Sequence, residues 1–295
     1  MKYSLLICTR NRAEKLAVCL QSVGAALKPE IDAELILVDN GSTDATGEVI
    51  SQFEAAHPAF RIRAVRENRA GLSRARNAGL EASRGELLVF TDDDCRLDID
   101  YFVHLDRARR QFEFDYFSGN ILLAKSSYGE LGGYLYKDEV CIIVPRTIHA
   151  PGHLQGSNMG FTREVIDRIG KFNYLIGDGT AFRFEDIEYA TRASLAGFRG
   201  IHLPEVFVIH DHGRERDSPE LAKLFRANSI AAGAYCLEAL LFAGVGGLRY
   251  WSKHWRRLYR GHDGGRPRLK WELQGAASFL VYLIRKRYLP RIRIE

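Results

Sequence analysis

Residues Glu86-Leu-Leu-Val-Phe-Thr-Asp-Asp-Asp94 pass from an apolar run directly into three carboxylates. The run Glu86–Thr91 reads as a buried strand, which puts Asp92, Asp93 and Asp94 at its C-terminal mouth. In open α/β sheets, ligands sit just outside the carboxyl ends of the strands. Clustered like charges at that position call for a cation. Hard divalent ions such as Mg2+ or Mn2+ take oxygen ligands and bridge substrate phosphates, so location and chemistry agree. Taken alone, the triplet is equally well an exposed acidic turn, and the rest of the chain has to decide.

Working outward, the first ninety residues alternate strand-like and helix-like patterns. Strand runs fall at Tyr3–Cys8, Glu34–Asp39, Arg61–Arg66 and Glu86–Thr91. Between them, Ala13, Leu16, Ala17, Leu20 and Val23 repeat at helical spacing, as do Thr46, Val49, Ile50 and Phe53. Ser42 or Asp44 can cap the second helix and Ser73 a third, which ends near Arg84-Gly85. The alternation predicts parallel βαβ units with right-handed crossovers. From about Leu97 to Gln155 the periodicity weakens, and stretches such as Tyr128-Gly-Glu-Leu-Gly-Gly-Tyr134 yield no element. A helical pattern returns at Glu185 and stops at Gly197, and Ile201–Ile209 reads as a late strand. Beyond Ser218 the chain reads as helical. Its apolar stretch Ser229 to Leu248, broken only by Glu238, is Ala- and Gly-rich and weakly hydrophobic, which favours a buried bundle helix over a membrane span.

The expected architecture is therefore α/β, with a mixed, mostly parallel central sheet over residues 1–217 and a helical extension over 218–295. The extension is strongly basic. Residues 249–295 hold 13 Lys and Arg against 3 Asp and Glu, a balance of +10 that leaves −5 for the remainder of a chain of net charge +5. Such asymmetry points to an anionic partner, a membrane surface or nucleic acid. Five scattered cysteines lack zinc or disulfide spacing, and the N-terminal apolar run is too brief for a secretory segment, so a reducing cytosol is the expected home.

Two further strand ends carry polar chemistry. Asp39 closes the second strand within Ile36-Leu-Val-Asp-Asn-Gly-Ser-Thr-Asp44, where an acidic group commonly accepts from a ribose or base, while Asp44 reads as a helix cap. Thr9-Arg10-Asn11-Arg12 follows the first strand and opens a helix, a setting that favours phosphate. Neither a Walker loop nor Gly-x-Gly-x-x-Gly appears there, which argues against P-loop and typical dinucleotide chemistry.

Taken in order, Thr9-Arg10-Asn11-Arg12, Val38-Asp-Asn-Gly-Ser-Thr-Asp44, Gly71-Leu-Ser-Arg-Ala-Arg-Asn77, Thr91-Asp-Asp-Asp94, Gly156-Ser-Asn-Met159 and Glu185-Asp-Ile-Glu188 with Arg192 resemble family-2 glycosyltransferases of the GT-A fold, over roughly residues 1 to 212. The resemblance implies a Rossmann-like domain with a nucleotide-binding half (1–96) and an acceptor-binding half (97–217). It implies inverting transfer from a UDP-, GDP- or dTDP-sugar to a glycan or lipid-linked acceptor of cell-envelope polysaccharide biosynthesis. By the same resemblance, Thr9 and Asp39 contact the nucleoside, with Arg76 and Asn77 nearby and Arg10, Asn11 and Arg12 beside them. Asp92 faces ribose or metal, Asp94 the metal, and Gly156 and Asn158 line the donor-sugar pocket. Three carboxylates occupy a two-carboxylate pattern, which leaves Asp93 open. Asp186 matches the general base with Glu185 beside it, and His210 of His210-Asp-His212 matches a place where histidine can complete the metal shell.

Chemistry is consistent with those roles. An acceptor hydroxyl must lose its proton as it attacks, and a departing diphosphate gains charge that Mn2+ or Mg2+ can neutralise. Adjacent carboxylates Glu185 and Asp186 can raise one another's proton affinity. Glu188 and Arg192, four apart, read as a helix-surface ion pair. In the basic tail, Trp251, Trp255, Leu258 and Tyr259 share one helical face, while Lys253, Arg256, Arg257 and Arg260 point elsewhere. That suits an interfacial helix at the cytoplasmic side of a membrane, and equally a helix packed on the catalytic domain. Two other readings compete. A sugar-1-phosphate nucleotidyltransferase would carry a Gly-rich pyrophosphate loop where this chain has Thr-Arg-Asn-Arg. A non-catalytic membrane or nucleic-acid module would rest on Trp251, Trp255 and Trp271; the intact carboxylates argue against it, and no nucleic-acid partner is expected.

Overall fold

A computed structural model describes residues 1–124, 134–213, 219–261 and 265–286. Its centre is a nine-stranded sheet. The first half is built as the alternation predicts: β1 (Tyr3–Thr9), α1 (Ala13–Ala26), β2 (Ala33–Asp39), α2 (Thr46–Ala56), β3 (Arg61–Arg66), α3 (Leu72–Ala82) and β4 (Leu87–Asp92). These strands run parallel in the order β3-β2-β1-β4. Register pairs Thr9 with Asp39 and Cys8 with Asp92, so three strands deliver their polar C-terminal residues to one edge.

The stretch without legible periodicity contains β5 (Cys95–Leu97), α4 (Tyr101–Gln111), β6 (Tyr116–Leu123) and β7 (Cys141–Ile143), followed by β8 (Met159–Thr162) and α5 (Arg163–Ile169). Tyr128 and its Gly-rich neighbours lie outside the described residues. Then come α6 (Glu185–Leu195) and β9 (Gly200–His210), and the sheet continues β4-β8-β6-β9-β5 with β7 also on β9. β8 runs antiparallel to both β4 and β6, while β6 and β9 are parallel, so the sheet is parallel in its first half and mixed beyond.

Odd and even positions of the strands feed two cores. Leu5, Ile7, Leu35, Leu37 and Val89 pack with α1, α2 and α4, whereas Leu6, Ile36, Val38, Leu88 and Phe90 pack with α3, α5 and α6. This two-sided burial is what a parallel sheet covered by crossover helices requires.

Beyond the sheet lie α7 (Pro219–Ala243), α8 (Val245–Tyr259) and α9 (Gly265–Lys286). The apolar stretch expected to form one helix is broken, because Gly244 adopts φ +51° and ends α7. Among the described residues no helix is long and apolar enough to cross a membrane. Helices α7 and α9 join the segment between α5 and α6 through a third core of Leu175, Ile176, Phe182, Ala234, Phe279 and Leu283. Helices α7 and α9 cross closely: a Cβ on Gly233 would stand 1.8 Å from the Glu272 carbonyl oxygen, so only glycine fits. Parts of the basic tail, residues 262–264 and 287–295 including Arg287, lie outside the described residues, as does Ser218.

Capping differs from expectation in one place. Asp44 accepts from the backbone N–H groups of Thr46 and Ala13, supporting two helix starts as a cap should. Ser73 lies inside α3 and donates to the Ile176 carbonyl, so it clamps the 172–184 segment onto that helix instead of capping it.

Candidate active site

A cavity of about 650 Å3 opens at the carboxyl edge of the strands, walled by Asp92, Asp93 and Asp94 on one side and by Glu185 and Asp186 on the other. Arg76 joins the two groups. The residue is 3 % exposed, and Nη1 donates to Glu185 Oε1 at 2.7 Å while Nη2 lies 3.7 Å from Asp92 Oδ1. The guanidinium also rests over the Phe172 ring at 5.5 Å. A cation fixed this way cannot wander and sets the spacing of the carboxylates around it.

The triplet divides by partner. Asp93 is buried, accepting from Thr9 Oγ1 and Arg12 Nη1, both at 2.7 Å; burial pushes its carboxyl up to about 6 despite Arg12. Asp94 accepts from Arg12 Nη2 at 2.8 Å and lies with Oδ1 3.1 Å from His210 Nε2. Burial works to raise it, but His210 and Arg12 override that and hold it at about 2. Asp92 is half-buried, and its recess in the wall raises its carboxyl, against the pull of Arg76. All three line the cavity, with Asp93 tied to the ends of β1 and α1 and Asp94 shared between Arg12 and His210.

Asp94 and His210 bear on metal binding. Asp94 Oδ1 is buried without a well-aligned hydrogen bond among the described residues, and the ligand atoms of Asp94, Cys95 and His210 lie within 4.8 Å of one another. Burial keeps the Cys95 thiol protonated, which removes it as a ligand for a hard ion. A carboxylate beside an imidazole fits a divalent ion, and the imidazole leans toward Mn2+.

On the opposite wall, Phe184 precedes α6 in the left-handed region (φ +79°, ψ +31°), a costly conformation for a bulky residue and one that clusters at functional sites. It turns the chain so that Asp186 meets the cavity. Asp186 Oδ2 accepts from the Gly156 N–H at 2.7 Å and Oδ1 from the Ile187 N–H at 2.8 Å. Three acidic residues in the first turn of α6 also favour that helix's positive end. Glu185, expected beside the base, turns to Arg76 instead; burial pushes it up to about 7, with Arg76 opposing. Its proximity to Asp186 is a smaller contribution than burial.

Other expected site residues fare differently. Arg10 lines the cavity. Asp39 and Asn11 stand at the same sheet edge but off the cavity wall. Asp39 accepts from the Ser42 N–H at 2.8 Å, and Asn11 (φ +51°) holds the Thr43 N–H at 2.7 Å. Asn77 spends both amide atoms on the Phe172 backbone. Asn158 is fully buried, donating to the Asn120 and Val206 carbonyls and accepting from Tyr101 Oη. Both asparagines therefore brace the scaffold and neither lines the pocket. Glu188 and Arg192 form the expected pair, but buried, with Arg192 also donating to the Ile169 and Lys171 carbonyls. Sequence reading missed the wall contributed from far away by Phe225, Asn228 and Ser229 of α7 and Arg268 of α9. No spacing rule links residue 225 to residue 92.

With that geometry in hand, the chain can be set beside known proteins. Residues 4–188 match the model of Glycosyl transferase family 2. The glycosyltransferase AglE of Haloferax volcanii is 26 % identical over 249 residues, covering 84 % of this chain and 79 % of that protein. GlyA of Streptococcus pneumoniae is 32 % identical over 136 residues, 46 % of this chain and 18 % of GlyA. Among solved structures, the mannosyltransferase PcManGT from Pyrobaculum calidifontis, in complex with GDP-Man and Mn2+, superposes with a TM-score of 0.58 at 19 % identity, covering 98 % of this chain and 76 % of that one. S. aureus TarS 1–349 in complex with UDP-GlcNAc gives 0.62 at 16 % identity, covering 81 % and 67 %. The fold is that of the GT-A glycosyltransferases. The chain belongs to glycosyl transferase family 2 and is a glycosyltransferase of that family.

Proposed function

We propose that this enzyme moves a sugar from a nucleotide-sugar donor to a hydroxyl of a glycan or lipid-linked acceptor, with inversion, using a divalent cation. The observation that carries the reading is one cavity walled by Asp92 and Asp94 on one side and Asp186 on the other, with buried Arg76 between them. GDP-Man in PcManGT and UDP-GlcNAc in TarS support a nucleotide-sugar donor, and Mn2+ in PcManGT supports a metal.

In this reading Asp94 and His210 hold the ion, with Asp92 beside them. When bound, the cation neutralises charge on the departing nucleoside diphosphate. Arg76 and Arg12 set the carboxylates in place. Asp186, held by two backbone N–H groups, takes the acceptor's proton as its oxygen bonds to the anomeric carbon and the bond to the diphosphate breaks on the opposite face. Glu185 acts through Arg76 as a positioning residue. Thermal-shift measurements with UDP-, GDP- and dTDP-sugars, with and without Mn2+, test the reading. A donor whose stabilisation depends on Mn2+ and disappears in Asp94→Ala supports it; no shift with any donor counts against it.

A further inference from the structure

Helix α8 has three faces. Gly247, His254 and Leu258 turn inward, with Leu258 fully buried and His254 on the Glu272 carboxylate of α9. The expected aromatic face therefore splits between inside and outside. Outward, Val245, Leu248 and Tyr259 are 66 %, 55 % and 64 % exposed, beside half-buried Trp251 and Trp255. Flanking that stripe, Arg249, Lys253 and Arg256 are all exposed. On α9, Glu272, Gly275, Phe279 and Leu283 pack inward, while Leu273, Leu280, Val281 and Ile284 are 46 %, 46 %, 48 % and 67 % exposed. These outer faces combine large apolar side chains with Lys and Arg, and none of the residues named on them lines the cavity.

We propose that the outer faces of α8 and α9 dock this protein on an anionic lipid bilayer. Apolar side chains would enter the headgroup boundary, while Lys and Arg meet acidic headgroups, the two contributions an interfacial helix uses. A second copy of the chain fits less well, because residues 249–295 carry a balance of +10 and a symmetric contact would set like charges together. The same helical unit supplies Phe225, Asn228 and Arg268 to the cavity wall, so docking would tie the cavity to the lipid surface. The proposal stands apart from the transfer reading, since it concerns binding and needs no turnover.

The test is co-sedimentation of the full chain with vesicles of phosphatidylcholine alone or with about 30 % phosphatidylglycerol, alongside sedimentation velocity without lipid. Binding to the anionic vesicles, weakened by salt, is expected. The triple variant Arg249→Gln/Lys253→Gln/Arg256→Gln should bind about 100-fold more weakly, at about fivefold per cation. Leu248→Ser/Ile284→Ser should also release the protein. All five positions are exposed, and unchanged melting temperatures check that these variants fold. Failure to bind anionic vesicles overturns the proposal, as does binding that survives both variants. A stable dimer that the Leu248→Ser/Ile284→Ser variant breaks, without vesicle binding, assigns the surface to a second copy and also overturns it.

Discussion

Gly156 lies so close to Arg76 that a Cβ added to it would stand 2.1 Å from Nη2 and 3.0 Å from Cζ. The guanidinium has little room to yield, because it is buried on Phe172 and bound to Glu185. Gly156→Ala should therefore displace Arg76 and strain the Gly156 N–H bond to Asp186 together. Overpacking of this kind costs about 1–3 kcal/mol, and a misplacement of about 1 Å in an active site costs on the order of 100-fold in rate. Melting temperature and transfer rate measured on one preparation check both; wild-type turnover would remove Gly156 from any positioning role.

The neighbouring carboxylates Glu185 and Asp186 should separate under mutation. Asp186→Asn keeps one acceptor oxygen, so one of its two backbone partners, Gly156 N–H or Ile187 N–H, loses its acceptor, and the amide cannot take a proton. Turnover is expected to fall by about 10²- to 10⁴-fold, with donor binding little changed and a stability loss of about 1–3 kcal/mol. Glu185→Gln removes the partner of a buried guanidinium, and losing one member of such a pair costs about 3–5 kcal/mol. Stability should drop first there. Unfolding and donor-binding curves for the two variants distinguish these outcomes, and similar effects in both would contradict the division.

For metal, removal and ligand mutation should converge. Chelation is expected to abolish transfer, with Mn2+ restoring it. His210→Ala should raise the Mn2+ concentration needed for half-maximal donor stabilisation by at least about tenfold, the lower end for disturbing a metal's surroundings. Titrating Mn2+ against the melting temperature at fixed donor measures it. An unchanged midpoint would leave His210 as a partner of Asp94 only.

Much of the first half was legible because βαβ units write themselves as alternating periodicities. Strand limits at Arg61–Arg66 agree fully, and Asp92, Asp94 and Asp186 meet in one cavity as their motifs imply. Helix α4 was missed although Tyr101, Phe102, Leu105 and Ala108 bury one face, because its second half is polar except for Ala108: Asp106, Arg107, Arg109, Arg110 and Gln111 leave too few apolar positions to show the spacing. Asn77 and Asn158 illustrate a different limit. A motif gives a side chain's place along the chain but not its direction, and both turn into the scaffold. The α7 wall was illegible for a third reason: its contacts depend on how helices pack through Gly233, a contact with no periodic signature.

Acid should weaken the fold through His149 and His202. Both are buried, His149 with Nε2 3.0 Å from Tyr116 Oη, and His202 between Ser118 Oγ and Asn120 Oδ1 at 2.9 and 3.0 Å. The Asn120 amide nitrogen donates to the Lys137 and Pro204 carbonyls, which orients Oδ1 as the acceptor from a neutral His202 Nε2–H. Burial pushes both imidazoles down to about 4, with Lys137 adding to it. Between about 6.5 and 4 the unfolded chain binds the extra protons, so their contribution is complete above about 6.5 and is lost as pH falls toward 4. The slope is at most about 1.4 kcal/mol per pH unit for each histidine. Glu185, raised to about 7, acts oppositely and gains stability as pH falls, so the wild-type curve alone is a mixture. The difference between wild type and His202→Gln isolates the histidine. That variant should be less stable at pH 7.5, with the gap narrowing toward pH 5 in urea unfolding. A gap independent of pH would mean that His202 does not titrate across folding.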